Sequence, residues 1–210
     1  MSFLSNLNWR YATKKYDSAK ILPQEKLDVI LEAIRMAPSS NGFQPYDVLV
    51  ISNPAIRVKL AAAAYNQLQI TEASHVLVFA AWDNIHESNL GKVFDTIAHV
   101  RGASDSIEKR RTSSLAGFAA KSADENFKHA AQQAFIGLGF GLAAAAELQV
   151  DSSPMGGFNP VQFDEILGLK EKGLRSVVVL CLGFRATEGD WLVGLKKVRR
   201  PKAEMFHEVT

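Results

Sequence analysis

Pro38-Ser39-Ser40-Asn41-Gly42-Phe43-Gln44-Pro45 separates an amphipathic helical stretch from an apolar, strand-like one. Between the two bounding prolines lie two hydroxyls, two amides and one glycine. A loop of this kind on a rigid scaffold is a usual place for binding groups. A polar helix-to-strand turn has the same composition, so the stretch alone leaves both readings open. Before it, Pro23 opens a helix in which Leu27, Ile30, Leu31 and Ile34 give the i, i+3, i+4, i+7 stripe of one buried face. After it, Tyr46 to Ser52 predicts a strand of mostly apolar residues.

Helices and strands are interspersed along the rest of the chain. Phe3, Leu4 and Leu7 predict a short first helix, followed by the basic and aromatic run Trp9-Arg10-Tyr11-Ala12-Thr13-Lys14-Lys15-Tyr16-Asp17. Asn53-Pro54 predicts a helix start, with Asn as N-cap and Pro in the first turn. That helix passes Leu60 and breaks at Tyr65-Asn66-Gln67. His75 to Trp82 is an unbroken apolar strand, residues 85–102 are helical in pattern, and 104–114 form a charged turn or helix start. Ser122-Ala123-Asp124-Glu125 fits a capping box. It heads a long helix over about 124–148, whose second half, Ala134 to Leu148, is expected to be buried on every side. Asp151 to Phe158 reads as a glycine-containing loop, Asn159-Pro160 as the cap of a short helix, and Ser176 to Phe184 as the third strong strand. Three strands among six or more helices define an α+β fold, one small sheet packed by helices. Residues 1–210 form a single domain.

The totals narrow the function. Apolar content is 47 % and charged content 22 %, ordinary for a soluble globular chain, and the formal net charge of +2 is too small to argue for nucleic acid or an anionic membrane. The single cysteine, Cys181, lies in an apolar run and is expected to be a buried, inert thiol. Neither a signal-peptide pattern nor an apolar stretch of membrane-spanning length is present, so a cytoplasmic setting is expected.

Chemistry has few places to sit. His75, His86, His99, His129 and His207 do not pair with one another or with cysteine at ligand spacing, which argues against a metal. There is no G-x-S-x-G. Gly137-Leu138-Gly139-Phe140-Gly141 lies inside a helix without a preceding strand, so it is not a nucleotide loop. Instead Gly137, Gly141 and Ala145 form a smooth ridge that could meet another helix of this chain or a twofold partner. Two basic clusters remain, Arg10 with Lys14 and Lys197 with Arg199. Each alone is a solvated surface; brought together they could hold a dianionic phosphate.

These residues carry a resemblance. Arg10-Tyr11-Ala12-Thr13-Lys14, Pro38 to Pro45, Asn66 with Ala73-Ser74-His75, Pro154-Met155-Gly156-Gly157-Phe158 and Lys197-Val198-Arg199-Arg200-Pro201 occur in the order found in the FMN-dependent, oxygen-insensitive NAD(P)H nitroreductases. Leu169-Lys170-Glu171-Lys172-Gly173 also matches. The resemblance implies a mainly antiparallel sheet flanked by helices in an intertwined homodimer, with the tail at about 190–210 crossing to the partner. It implies FMN at the interface and favours the partner as cover for the ridge at 134–148. It places Arg10, Lys197 and Arg199 at the phosphate, Tyr11 and Ala12 beside them, and Lys14 and Asn66 at the ring's polar edge. Pro38, Ser39 and Ser40 would line the flavin from the other subunit, and the Pro154, Met155, Gly156 and Gly157 loop would point backbone amides at the ring.

Three positions depart from the family pattern. Arg-His-Ser is Arg10-Tyr11-Ala12, which loses a hydroxyl; a common lysine is Gln69, beside the nicotinamide; a common Glu-Gly pair is Gly156-Gly157. The implied activity is ping-pong reduction of quinones, nitroaromatics or similar small acceptors by NADH or NADPH through FMN. No side chain serves as nucleophile, because the chemistry is the cofactor's. The alternatives are a dihydropteridine or flavin reductase, a non-catalytic FMN-binding protein, or a homodimeric interaction module without flavin. Neither nucleic acid nor membrane is expected as partner.

Overall fold

The computed structural model describes residues 2–209. In chain order the elements are α1 (Phe3–Trp9), α2 (Gln24–Arg35), β1 (Tyr46–Ile51), α3 (Pro54–Ala62), α4 (Gln69–Glu72), β2 (His75–Trp82), α5 (Glu87–Arg101), α6 (Asp105–Ala119), α7 (Ala123–Glu147), β3 (Asp151–Met155), α8 (Pro160–Leu167), β4 (Leu174–Gly183) and α9 (Lys202–Met205). The strands form one sheet in the order β1-β2-β4-β3, antiparallel throughout.

Side chains alternate across a strand, and this sheet uses both faces. Leu77, Phe79 and Ala81 point with Leu180 and Leu182 into a core closed by α2 and α7. Val76 and Val78 point with Val179 and Cys181 into a second core containing residues of α3, α4 and α8. That two-sided burial is why β2 and β4 read as continuous apolar runs. Cys181 is fully buried, and burial pushes its thiol up to about 12, so it stays protonated and inert.

Local signals were accurate. Asn53 Oδ1 accepts from the N–H of Ala55 and Ile56, and Ser122 and Glu125 form the reciprocal capping box. The charged stretch after residue 104 is a full helix, α6, started by Ser104 as N-cap.

Two expectations are corrected. The stretch 151–155 is a strand and not a loop: Asp151 to Met155 pair with Gly183 to Val179. Its hydroxyls and proline disguise it, yet Ser152 and Ser153 are fully buried. And α7 is not buried on every side. Its smooth ridge faces inward: a Cβ on Gly137 would lie 2.5 Å from Tyr46 Oη, and one on Gly141 would lie 3.0 Å from Ile34 Cγ1 and 3.4 Å from Leu180 Cδ2. Small residues there admit α2 and the sheet of the same chain. The opposite face shows Phe135, Ile136 and Phe140 at 52 %, 39 % and 41 % exposure.

Candidate functional site

The two basic clusters meet. A cleft of about 970 Å³ is lined by Arg10, Tyr11, Ala12, Pro154, Lys197 and Arg199, with Trp9, Arg185 and Leu195 among its other walls. Helix α1 stops at Trp9, and Arg10 turns extended at φ −67°, ψ 141°. The chain then runs beside the sheet, with Ala12 bridging Ser152 in parallel and Tyr16 bridging Arg185. Arg10 and Lys14 therefore lie on a non-helical segment, and Lys14 does not line the cleft.

Asp190 ties the tail to this segment. Its carboxylate accepts from Tyr11 Oη at 2.8 Å and from the N–H groups of Lys14 at 2.8 Å, Lys15 at 3.4 Å and Leu192 at 2.9 Å. Burial alone would raise Asp190, but these donors together hold it below the ordinary carboxylate range. Tyr11 is pushed up to about 12 by burial and by its bond to Asp190. Further on, Lys197 Nζ donates to Leu7 O at 2.7 Å and also to Arg10 O. The tail through Lys197 is thus bound to its own chain, while Val198, Met205 and Phe206 stay exposed.

The cleft is electrostatically loaded. Burial lowers the Arg10 pKa and the Arg199 charge lowers it further; Lys197 is lowered by burial, by Arg10 and by Arg199. Among the described residues, Arg10 Nε is buried without a hydrogen-bond partner. Like charges crowded in this way favour a bound anion. Sequence reasoning missed Arg185, which nothing around position 185 marks. Its guanidinium carbon lies 4.5 Å and 4.6 Å from the Trp9 and Tyr11 ring centroids, and its Nε donates to Asp151 Oδ1 at 2.7 Å.

Next to β3, two more expected segments meet each other. Tyr65 and Asn66 take left-handed conformations at φ 55° and 56°, which exposes Asn66 on a tight turn. Gln67 Nε2 donates to Gly157 O at 2.7 Å and so joins that turn to the glycine loop. Gly156 and Gly157 are exposed, and neither needs a positive φ. The Met155 side chain is in the core with its Sδ 3.6 Å from Cys181 Sγ, which leaves only its backbone to the loop. The Gln69 side chain, expected beside the nicotinamide, is buried in α4 and so removed from a ligand-facing surface.

The loop at 38–45 is held from three sides. Gln44 Nε2 donates to Arg35 O at 2.7 Å, Gln133 Oε1 on α7 accepts from Ser40 N–H at 2.8 Å, and Arg110 on α6 donates to Asn41 O at 2.8 Å. Gln44 therefore fixes the loop to the end of α2. The loop leads into Tyr46, which pairs with Ala81 at one end of an edge strand. Ser152, bridged from outside by Ala12, sits on the other edge strand, β3, in register with Leu182 and thence His75. Three strand spacings and six residues of rise put these corners about 24 Å apart. Ser39 and Ser40 do not join the cleft of their own chain.

An antiparallel four-stranded sheet wrapped by helices, with a cationic cleft along one edge, is the nitroreductase-like α+β architecture. A nitroreductase-like protein from Streptococcus mutans superposes with a TM-score of 0.81 at 23 % identity, covering 99 % of this chain and 98 % of that one. A protein from Exiguobacterium sibiricum, solved in complex with FMN, gives 0.84 at 22 % identity, covering 100 % and 98 %. The family model described as "Nitroreductase family" matches residues 7–184. The oxygen-insensitive NAD(P)H nitroreductase of Salmonella typhimurium is 31 % identical, covering 100 % of both chains, and the major NAD(P)H-flavin oxidoreductase of Aliivibrio fischeri is 31 % identical, covering 94 % of both. The chain belongs to the nitroreductase family.

Proposed function

We propose that this chain is an FMN-dependent NAD(P)H oxidoreductase that reduces quinones, nitroaromatics or similar small acceptors. The observation that carries the reading is the meeting of Arg10, Lys197 and Arg199 in one cleft, with a buried Arg10 Nε that has no partner among the described residues. That donor set fits the phosphate of FMN. Lys14 and Asn66 would sit by the polar edge of the ring, where a cation stabilises the negative charge of reduction. The Gly156 and Gly157 amides would serve the ring from the other side of the site. When bound, FMN supplies hydride transfer from the nicotinamide to the acceptor in alternating half-reactions. The protein's own residues hold, orient and charge-balance. Flavin reduction is a close second reading for the acceptor, because the Aliivibrio relative is named for it.

The distance between the cleft and Ser39–Ser40 supports a homodimer in which each site draws on both chains. The exposed face of α7 and the apolar tail after Lys197 are the surfaces such a dimer would cover. A groove of about 640 Å³ along β1, lined by Val48, Leu49 and Val50, is open to receive the partner's tail.

The test is the visible spectrum of the purified protein under anaerobic conditions. Flavin bands that bleach with NADH or NADPH and return on adding a quinone or nitroaromatic are expected. A protein that takes up no FMN refutes the reading. One that holds FMN without bleaching is a binding protein and not an enzyme.

A further inference from the structure

We infer that Gln67 is a positioning residue that sets the backbone of the Gly156-Gly157 loop for a flavin ring; this rests on the flavin reading above. Both carbonyls of the pair are occupied. Gly156 O accepts from Phe158 N–H at 3.2 Å, and Gly157 O accepts from Gln67 Nε2 at 2.7 Å. Among the described residues, the N–H groups of Gly156 and Gly157 meet no acceptor. The Gly157 carbonyl shares its peptide plane with the Phe158 N–H, and the Gly156 carbonyl that accepts this N–H shares its plane with the Gly157 N–H. The Gln67 bond thus restrains the Gly157 donor through this relay, while the Gly156 N–H lies in the peptide that leaves Met155 at the end of β3. Donors held in place before a ligand arrives bind it without a reorganisation cost.

The fastening is rigid because Gln67 is itself held. Its Nε2 also donates to Ala64 O at 3.1 Å, and its own N–H donates to the same carbonyl at 3.1 Å. Asn66 N–H closes the turn onto Ala61 O at 2.9 Å. A second tie, Asn159 N–H to Ala63 O at 2.8 Å, lies on the far side of the glycines. The loop from 156 to 159 is therefore clamped at two points to the turn that carries Asn66. Where the family pattern has a glutamate, Gly156 offers the backbone no side-chain restraint of its own. The Gln67 amide supplies that restraint from across the site, and a carboxylate at 67 could not, because only the amide can donate to a carbonyl.

Gln67→Met and Gln67→Glu test this in the full-length protein, by fluorescence titration with FMN and with riboflavin. Riboflavin has the ring without the phosphate, so a ring-side residue affects both ligands equally. About tenfold weaker binding of both is expected for Gln67→Met, the size of one lost hydrogen bond, and a larger loss for Gln67→Glu. The melting temperature of the flavin-free protein should fall by no more than about 4 °C, the size of one lost hydrogen bond, and amide exchange at 156–158 should quicken. Affinities unchanged within twofold, or a loss confined to FMN, overturn the inference. So does a drop of about 10 °C or more in the melting temperature of both variants, which would make Gln67 a packing residue. Wild-type protein that binds neither ligand overturns the flavin reading and this inference together, whereas wild-type binding with unaltered variants overturns this inference alone.

Discussion

Neighbouring positions on α7 should respond to the same substitution in opposite ways. Phe140 is 41 % exposed. A phenylalanine ring offers about 200 Å², so about 80 Å² would be covered in the proposed dimer. At about 25 cal/mol per Å² that is about 2 kcal/mol per chain, and about 4 kcal/mol for two symmetric copies. Each 1.4 kcal/mol is a factor of ten. Phe140→Glu is therefore expected to weaken self-association about a thousandfold while the monomer keeps its fold. Gly141→Glu acts differently. Its Cβ would already crowd Ile34 and Leu180, and its carboxylate would be buried without a partner, which is strongly destabilising. Sedimentation velocity from nanomolar to micromolar chain concentration, with flavin content and melting temperature, distinguishes the cases. Folded, flavin-poor monomers for Phe140→Glu and misfolded protein for Gly141→Glu are expected. A Phe140→Glu dimer that survives at nanomolar concentration, or well-folded monomers of Gly141→Glu, would refute the assignment of the two faces.

Arg199→Ala should weaken FMN by about 1.5–3 kcal/mol, as for a charge-assisted contact, and leave riboflavin affinity unchanged; calorimetric titration with both ligands checks it. Asp190 is held below its ordinary pKa in the folded chain, so its contribution to stability is present above the unfolded value of about 3.9 and is lost as pH falls through the lower, folded value. Below about pH 4 the melting temperature of the wild type should therefore approach that of Asp190→Asn, while at pH 7 the wild type should melt higher; a constant gap across that range refutes the assignment. A Cβ at Gly156 meets nothing within 4 Å, so Gly156→Glu should fold and bind FMN normally. Steady-state kinetics should then show a changed ratio of kcat/KM between quinone and nitroaromatic acceptors.

Legibility in the sequence followed the range of the interactions. The α2 stripe, the Asn53 cap and the Ser122–Glu125 box depend on neighbours three or four residues away, and their letters announced them. Strand β3 did not, because Ser152, Ser153 and Pro154 are poor strand formers that pairing with β4 and burial override. The ridge of Gly137, Gly141 and Ala145 was visible as small residues, but their period cannot say which neighbour they admit; only Tyr46 and Ile34 in space answer that. Arg10 and Lys197 are separated by 187 residues. Their meeting depends on the bridge at Ala12 and the Asp190 anchor, neither of which carries a pattern. Gln44 and Gln67 were unremarkable amides until their carbonyl partners, Arg35 O and Gly157 O, were in place.

The two corners of the sheet, about 24 Å apart by strand geometry, carry a genetic consequence. Within the proposed dimer, damage to the cleft and damage to the Ser39–Ser40 loop fall on different halves of each site. Co-expressing a chain altered only at Arg199 with one altered only at the loop should yield mixed pairs in which one site is doubly damaged and the other is wholly intact. Two inactive genes would then restore activity together, up to half that of a wild-type pair, and two chains altered in the same corner never would.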